Sequence, residues 1–226
     1  MFQVALRGRC VTVALIMYTP SQFEEVRPEV LHALIRAHPL GLLVTQSATL
    51  EANHIPFVLD VDDDGAATLR AHVPQANPVW QQFEDDKEAL LVFQGTQAYV
   101  SPSWYPSKKA HGKVVPTWNY AVVHVRGIPR AIQEADWIAA QLHDLTTQME
   151  ASFDSPWAVA DAPKEFTDNL VRRLVGIEIP IDEISGKWKV SQNRSEADRR
   201  GVIDGMGGLA SDDAQAMAAM IESRDE

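Results

Sequence analysis

Residues 89–128 read ALLVFQGTQAYVSPSWYPSKKAHGKVVPTWNYAVVHVRGI, which is two apolar stretches separated by an aromatic, proline-rich segment. The alternation of apolar and polar residues predicts two short strands within 89–100, joined by a hairpin turn at 94–96, and a long strand over 118–128. Three prolines between the strands remove backbone donors and fix φ, so residues 99–120 are predicted to form a loop. This segment is too aromatic to remain solvated, which makes the loop a candidate for function.

Apolar periodicity continues on both sides of this stretch, with spacings of three and four predicting helices and spacings of two predicting strands. The predicted helices are 21–38, 77–83, 135–149, 166–174 and 195–226, the last interrupted at 205–208. The other predicted strands are 41–46, 54–59, 67–72, 175–181 and 183–191. About seven short strands, with helices at both ends and no regular βαβ alternation, predict a mainly β fold of the α+β class, an antiparallel barrel with peripheral helices.

The charge of the chain narrows the classes of ligand. The 226 residues carry a formal net charge of −11, which argues against nonspecific binding to nucleic acid. Two stretches nevertheless contain no acidic residue, one between Glu88 and Glu134 and one between Glu183 and Glu196. Their basic residues are Lys108, Lys109, Lys113, Arg126 and Arg130 in the first, and Lys187, Lys189 and Arg194 in the second. Two positive islands in an acidic chain indicate an anion pocket rather than a DNA-binding face.

The N-terminus and the cysteine count bear on the cellular compartment. Cys10 is the only cysteine, so no intrachain disulfide is possible and a reducing cytoplasm is expected. Arg7 and Arg9 precede a short apolar run that resembles a weak signal peptide, but no small-residue cleavage site follows it. We therefore expect Met17 to be the natural start and residues 1–16 to be an upstream extension. No stretch has the apolar length needed to cross a bilayer.

Three segments are candidates for ligand binding. The segment 72–78 joins a strand to a proline-primed helix, where backbone donors and the helix dipole suit a phosphate. The loop 99–120 offers ring faces for stacking and lysines for an anion. In the segment 187–194, Lys187, Lys189 and Ser191 would share one strand face.

Each of these segments also has a purely structural interpretation. The first segment, taken alone, favours a simple capped helix start, with Asn77 as the N-cap and His72 in the packing. The second is equally an Ω-loop packed on its own aromatic residues. The third is equally a charged edge strand that prevents aggregation.

The sequence predicts no catalytic residue and no metal ligand. It contains neither a His-Glu-x-x-His pair nor a Gly-x-Ser-x-Gly nucleophile elbow. His124 lies in an apolar strand and is predicted to be a core histidine with its hydrogen bonds satisfied.

Six segments, taken together and in order, resemble the PaiB-type FMN-binding negative transcriptional regulators. They are 17–23, 52–57, 72–78, 99–108, 115–120 and 187–194, and the specific ones contain Ser-Pro-Ser-Trp-Tyr and Pro-Thr-Trp-Asn-Tyr. The resemblance runs from Met17 to about Met220. It implies an FMN-binding split barrel over 17–194, with a helical segment over 195–226 packed on the barrel or on a partner subunit. It also implies a homodimer with FMN near the subunit interface.

The resemblance places the FMN phosphate at Gln75, Ala76 and Asn77. The family usually has an arginine where this chain has Gln75, which leaves Lys109 or Lys189 to supply the missing charge. The cofactor-binding residues inferred in this way are Asn53, His54, His72, Gln75, Asn77, Lys109, Trp118, Lys189 and Gln192.

The function that the resemblance implies is that of an FMN-binding negative regulator. No helix-turn-helix is visible and the chain is acidic, so direct DNA contact is doubtful and regulation is expected to be indirect or to use a partner. The alternative is a flavin-dependent oxidoreductase or a haem-handling protein on the same barrel, with haem replacing FMN as the cofactor. In both cases the cofactor would supply the reactivity, while the protein binds and orients it.

Overall fold

The structure is a computed structural model that describes residues 17–47 and 49–224. The predicted extension over residues 1–16, including Cys10, lies outside the described residues. The strands are β1 (Glu24–Glu25), β2 (Leu40–Gln46), β3 (Leu50–Pro56), β4 (Val58–Val61), β5 (Ala67–Pro74), β6 (Ala89–Val100), β7 (Thr117–Gly127), β8 (Arg130–Ile132), β9 (Leu174–Pro180) and β10 (Glu183–Lys189). The α-helices are α1 (Pro28–Ala37), α2 (Ser107–His111), α3 (Ala135–Glu150), α4 (Lys164–Val171), α5 (Glu196–Gly207) and α6 (Asp212–Glu222).

The strands form two antiparallel sheets. Across the described residues, the six-stranded sheet has the order β1-β10-β7-β6-β2-β3 and the four-stranded sheet has the order β4-β5-β9-β8. The chain changes sheets at Phe57, whose buried ring meets the Phe93 ring edge-on at 5.9 Å between centroids. The core lies between the sheets and includes Leu43, Leu91 and Ile177. This architecture confirms the predicted mainly β, α+β fold of the split-barrel type.

Two predicted boundaries within strands are wrong. Residues 94–96 do not form a hairpin turn, because β6 is continuous and only its pairing register with β7 shifts between Gln94 and Gln97. A β-bulge of this kind uses the same small and polar residues as a turn, but it bends a strand without reversing it. The predicted strand over 54–59 is in fact divided at Phe57, where β3 ends in one sheet and β4 begins in the other.

The first predicted helix begins later than the apolar spacing indicates. Helix α1 starts at Pro28, which occupies the first turn, and Arg27 before it is extended. Proline is well tolerated at this position and disfavours the α conformation of the preceding residue. Residues 21–25 form a short 3₁₀ helix and the edge strand β1 instead.

The C-terminal helices pack on the rest of the molecule through close contacts. Helix α5 ends at Gly207, within the predicted interruption at 205–208, and α6 begins at Asp212. A Cβ atom at Gly205 would lie 2.4 Å from Cδ2 of Trp104. The absence of a side chain at Gly205 therefore leaves room for the indole ring to pack against the helix. Helix α6 lies against β6, where the Thr96 hydroxyl donates to the Asp213 carbonyl at 2.9 Å.

The two ends of the described chain meet in an ion pair. The Glu25 carboxylate on β1 is 4% exposed and accepts hydrogen bonds from the guanidinium groups of Arg27 and Arg224. Arg224 follows α6 and also lies over the Trp188 ring of β10, 6.0 Å from its centroid. None of the helices in residues 17–47 and 49–224 combines the length and the hydrophobicity needed to cross a bilayer.

We predict that Gly205→Ala lowers the free energy of unfolding by about 1–3 kcal/mol, because its Cβ would overlap the Trp104 ring. Gly207→Ala in the same helix is the matched control, since no atom lies within 4 Å of its Cβ position. The control should be neutral or stabilising by up to about 1 kcal/mol. Urea denaturation of both variants measures the difference, and equal effects would contradict the Trp104 contact.

Candidate functional site

Basic and aromatic side chains gather at the C-terminal end of β10 and in the turn after it. The Lys187 ammonium lies 5.5 Å from the Tyr120 ring centroid and 5.7 Å from that of Tyr18. The Arg194 guanidinium carbon lies 4.8 Å from the centroid of the Tyr105 ring. We define the cation–aromatic cluster as Lys187, Lys189, Arg194, Tyr18, Tyr105 and Tyr120.

Lys189 is the most constrained cation of this cluster. Its half-buried ammonium donates to the Thr117 hydroxyl and to the Trp118 carbonyl, and it forms no ion pair within the part of the chain that the structure describes. Burial lowers the pKa of Lys189, and the charges of Lys187 and Arg194 lower it further. A buried ammonium without a counter-charge is costly, so an anionic group placed here would be bound favourably.

The turn after β10 is held in an uncommon conformation. Ser191 has a φ of 63°, which is in the left-handed region. Its hydroxyl accepts from Asn119 Nδ2 at 2.8 Å, and both side chains are buried. Gln192 accepts from Val190 N at 2.7 Å and donates to the Trp188 carbonyl. The side chain of Gln192, a predicted cofactor ligand, is therefore engaged in fixing the turn that carries the cluster.

An exposed pair of rings lies beside Lys189. Tyr99 and Trp118 face each other across the ends of β6 and β7, with centroids 6.0 Å apart and planes at 73°. The Trp118 side chain is 53% exposed, so ring surface is available for stacking. Tyr105, by contrast, is buried. The aromatic residues predicted to line the loop are therefore of two kinds, the exposed pair Tyr99 and Trp118 and the buried Tyr105.

The segment 99–120 is more ordered than a loop. It contains a 3₁₀ helix at Pro102–Trp104 and the helix α2, on which Lys109 is exposed. Ser107 at the start of α2 donates its backbone N–H at 3.1 Å and its hydroxyl at 2.8 Å to the carboxylate of Asp198 in α5. Asp198 therefore fixes this segment to the C-terminal helices, a contact that the sequence patterns did not reveal.

A second group of predicted ligands lies where β5 leads into the 3₁₀ helix at Pro78–Gln82. Asn77 caps that helix by accepting from Val79 N at 3.0 Å, and its Nδ2 donates to Asn53 Oδ1 at 3.1 Å. His54, next to Asn53, is exposed on β3. The structure thus brings Asn53 and Asn77 together. It also confirms the prediction that Asn77 is the N-cap of this helix.

Gln75 in this second group has basic neighbours that the sequence analysis missed. Its backbone N–H donates to the Arg173 carbonyl at 2.8 Å, and its side chain donates to the Arg172 carbonyl at 3.0 Å. Both arginine side chains are exposed. Arg172 and Arg173 are almost one hundred residues from Gln75 in the sequence, so no local sequence pattern could have predicted this contact. His72 points elsewhere, since its Nδ1 lies 2.7 Å from Gln141 Oε1 on α3.

The outer face of the six-stranded sheet lies between the two groups. Leu42, Val92, His124 and Ser185 occupy one row of paired positions across four strands. The prediction of a satisfied core histidine is wrong: His124 is half-buried on this outer face, and its Nδ1 has no hydrogen-bond partner among the described residues. Ser185 Oγ beside it also has none there. Burial, and secondarily Lys187, lowers the pKa of His124.

The two groups of predicted ligands are well separated within one chain. Asn53 and His54 belong to β3 at one edge of the sheet, whereas Lys189 belongs to β10, four strand spacings away. At the usual spacing between strands, that separation is about 19 Å. No single chain can therefore offer both groups to the same end of a small ligand.

Comparisons with known proteins agree with this architecture. Residues 17–183 match the family model described as "Putative FMN-binding domain". The protease synthase and sporulation protein PAI 2 of Bacillus subtilis is 30% identical over 209 residues, which cover 92% of this chain and 98% of that protein. The protein AN0679 of Emericella nidulans is 35% identical over 246 residues, covering 93% and 98%.

Two solved structures have the same fold at low sequence identity. The FAD and haem binding protein from Mycobacterium smegmatis has a TM-score of 0.54 at 16% identity, covering 74% of this chain and 73% of that one. The flavocytochrome Anf3 from Azotobacter vinelandii has a TM-score of 0.52 at 13% identity, covering 74% and 69%.

We predict that Asp198→Asn lowers the free energy of unfolding at pH 7 by about 1–3 kcal/mol. Burial alone would raise the pKa of Asp198, but hydrogen bonds from Ser107 and Ser195 and the charge of Arg194 lower it overall. A lowered pKa stabilises the fold above the unfolded-state value of about 3.9, and this contribution is lost as the pH falls through the folded-state value.

The free energy of unfolding should consequently fall less steeply below about pH 4 in Asp198→Asn than in the parent. Denaturant titrations at several pH values measure this slope. Asp63→Asn at the exposed hairpin tip is the control and should retain the parental slope. Unchanged acid sensitivity in Asp198→Asn would contradict the contribution assigned to the Ser107 contact.

Proposed function

The chain belongs to the PaiB-type family of FMN-binding-domain proteins, and from that membership we propose that it binds FMN as a homodimer and acts as a negative regulator through a partner. The family supports a flavin ligand. The finer parts of the proposal are FMN itself, the second subunit and the regulatory role.

The observation that carries the proposal is the uncompensated ammonium of Lys189. It is half-buried beside two further cations, in a chain whose net charge is −11. An FMN phosphate or the electron-rich edge of a flavin ring would supply the missing negative charge. The neighbouring Trp118 offers an exposed ring face to a planar ligand. When bound, FMN would supply redox chemistry, and these side chains would bind and orient it.

The second group of residues suits the other end of the same ligand. Gln75 and Asn77 lie at a strand-to-helix transition, where Gln75 donates to the main-chain carbonyls of Arg172 and Arg173. The exposed side chains of these arginines, of which that of Arg172 donates to Asn169, would have to turn toward the ligand to replace the charge that the family's usual arginine would provide at position 75. Because Asn77 is already occupied as a helix cap, we assign it to shaping the site and the arginines to the phosphate.

A homodimer would resolve the separation of the two groups. An isologous pair places each surface patch of one copy against the same patch of the other, so each ligand could be held by both subunits. The outer face of the six-stranded sheet is suited to this contact, because it presents the partly exposed apolar side chains of Leu42 and Val92. A second copy would cover these apolar residues and exclude water from them.

The regulatory role rests on the relative from Bacillus subtilis and on the charge of the chain. That relative is named for protease synthesis and sporulation. An acidic protein is unfavourable for binding the phosphate backbone of DNA. We therefore propose that the protein regulates indirectly, through a partner or a metabolite, without contacting DNA itself.

A second candidate function is flavin-dependent oxidation and reduction, or haem handling. It is favoured by the two solved structures of the same fold, whose names denote an FAD and haem binding protein and a flavocytochrome. The visible spectrum of the purified protein, followed by acid release of the chromophore, distinguishes flavin from haem. Turnover of bound flavin by a nicotinamide cofactor would favour the enzyme, whereas binding without turnover would favour the regulator.

We predict that Lys189→Gln weakens FMN binding by at least about tenfold, because a charge-assisted contact is lost. Lys189→Arg should retain most of the affinity. Lys109→Glu should also weaken binding, whereas Lys87→Glu should not, since Lys87 pairs with Glu84 at 2.6 Å on a different surface. Titration of apoprotein with FMN by flavin fluorescence measures the dissociation constants of the parent and of the four variants. Equal constants for the parent and Lys189→Gln would overturn the assigned site.

We predict a dimeric mass in solution at micromolar concentration, measured by light scattering. Val92→Glu on the outer sheet face should give a monomer and weaken FMN binding in parallel, because each ligand would lose one of its two walls. Val61→Glu on β4 of the other sheet is the control and should leave both properties unchanged. A monomeric parent protein would refute the proposed assembly.

A further inference from the structure

Residues 133–173 form a mainly helical segment that connects β8 to β9. Within it, α3 is followed by a short 3₁₀ helix and then by α4, which packs beside α3. An apolar cavity of about 180 Å³ opens between the two helices, and we name it the α3–α4 groove. Its principal lining residues are Leu142, Trp157, Val159, Phe166 and Leu170.

The groove is surrounded by large apolar side chains that remain open to solvent. Five such residues lie in the 22 positions between 149 and 170, each between 39% and 61% exposed. They are Met149, Phe153, Trp157, Phe166 and Leu170. Three of them, Trp157, Phe166 and Leu170, line the groove itself, and exposed apolar surface of this kind indicates a contact with another molecule.

The dimensions of the groove favour a protruding side chain over a cofactor. Cavities that bind cofactors and drug-sized ligands measure roughly 300–1,000 Å³, well above this volume. A cavity of about 150 Å³ accommodates a single benzene ring. The groove therefore fits one large apolar side chain, while the residues around it extend the contact along the surface.

The charge around the groove identifies the character of the partner. Residues 133–173 contain eight carboxylates and three basic residues. Glu150 accepts from Trp157 N at 2.9 Å and Asp161 accepts from Ala158 N at 2.9 Å, so both carboxylates lie at the rim. Asp168 also lines the groove, although it is paired with Lys164 at 2.8 Å. The rim is thus negative around an apolar centre.

We infer that the α3–α4 groove docks a basic amphipathic helix from a partner protein. One large apolar side chain of that helix would enter the groove between α3 and α4, and the other apolar side chains on the same face would contact the exposed residues beside it. Lysine or arginine residues flanking that stripe would face Glu150 and Asp161. The physiological meaning of this contact rests on the proposed regulation through a partner, whereas its chemistry is independent of flavin binding.

The test uses the full chain and a synthetic helical peptide of about 18 residues, made of leucine and lysine with leucines at helical spacing. Isothermal titration calorimetry should show saturable binding that weakens as salt is added. A peptide with glutamate in place of lysine should not bind. Leu170→Gln should weaken the binding of the lysine peptide by about tenfold, since an apolar anchor contact is lost.

Leu209→Gln is the matched control, because Leu209 is 43% exposed and Leu170 is 45% exposed. This control should bind the peptide with the parental constant. Equal binding by both variants, or no binding by the parent, would overturn the inference. FMN titration of the same two variants separates the two proposals: peptide binding without FMN binding would refute the flavin site and leave the groove assignment standing.

Two other occupants of the groove would be revealed by the same materials. If Leu170→Gln converts a dimer into a monomer, a second copy of the chain covers the groove and the inference is wrong. If a chain starting at Met17 binds the peptide more tightly than the full chain, residues 1–16 compete for the groove and the inference is likewise wrong.

Discussion

The antiparallel ladder between β6 and β7 is the constraint on which the rest of the molecule depends. It runs from Ala89 opposite Gly127 to Val100 opposite Thr117. One face of this pair supplies the centre of the core, and the other presents the row that contains His124. Its far end sets Tyr99 against Trp118, and β10 pairs with β7 so that Lys189 lies opposite Tyr120. The positions of Lys187, Lys189 and Tyr120 in the cation–aromatic cluster therefore follow from strand register.

The electrostatics of the chain explain why the cluster stands out. Most charged side chains here are exposed or paired, such as Arg70, which bridges Asp60 and Asp144. Lys189 is half-buried close to other cations, and among the described residues its ammonium donates to a hydroxyl and a carbonyl rather than to a carboxylate. The electrostatic free energy of this site is therefore less favourable in the empty protein than in the liganded protein. Ligand binding would therefore stabilise the fold as well as fill the site.

The sequence predicted those elements whose patterns are local. The long strand over 118–128 and the helix over 135–149 match β7 and α3 within one or two residues, because a buried face repeats at a constant period in each. The bulge after Gln94 was misinterpreted because it depends on the pairing strand, and the contact of Gly205 with Trp104 was not predicted because Trp104 is distant in sequence. The orientation of His72 toward Gln141 and the proximity of Arg173 to Gln75 are likewise tertiary facts. The residue types of the site were predictable, whereas their partners required the fold.

The contact between Glu25 and Arg224 has a topological consequence. It places the beginning of the barrel and the end of its last helix side by side, so the domain is nearly a closed loop of chain. Chain ends that adjoin in this way tolerate being joined by a short linker, with new ends opened at an exposed turn. The Asp62–Gly65 hairpin tip is such a turn. A circularly permuted protein opened there would preserve the strand pairings described for both sheets, while the linker would join the segment after Arg224 covalently to the segment before Glu25.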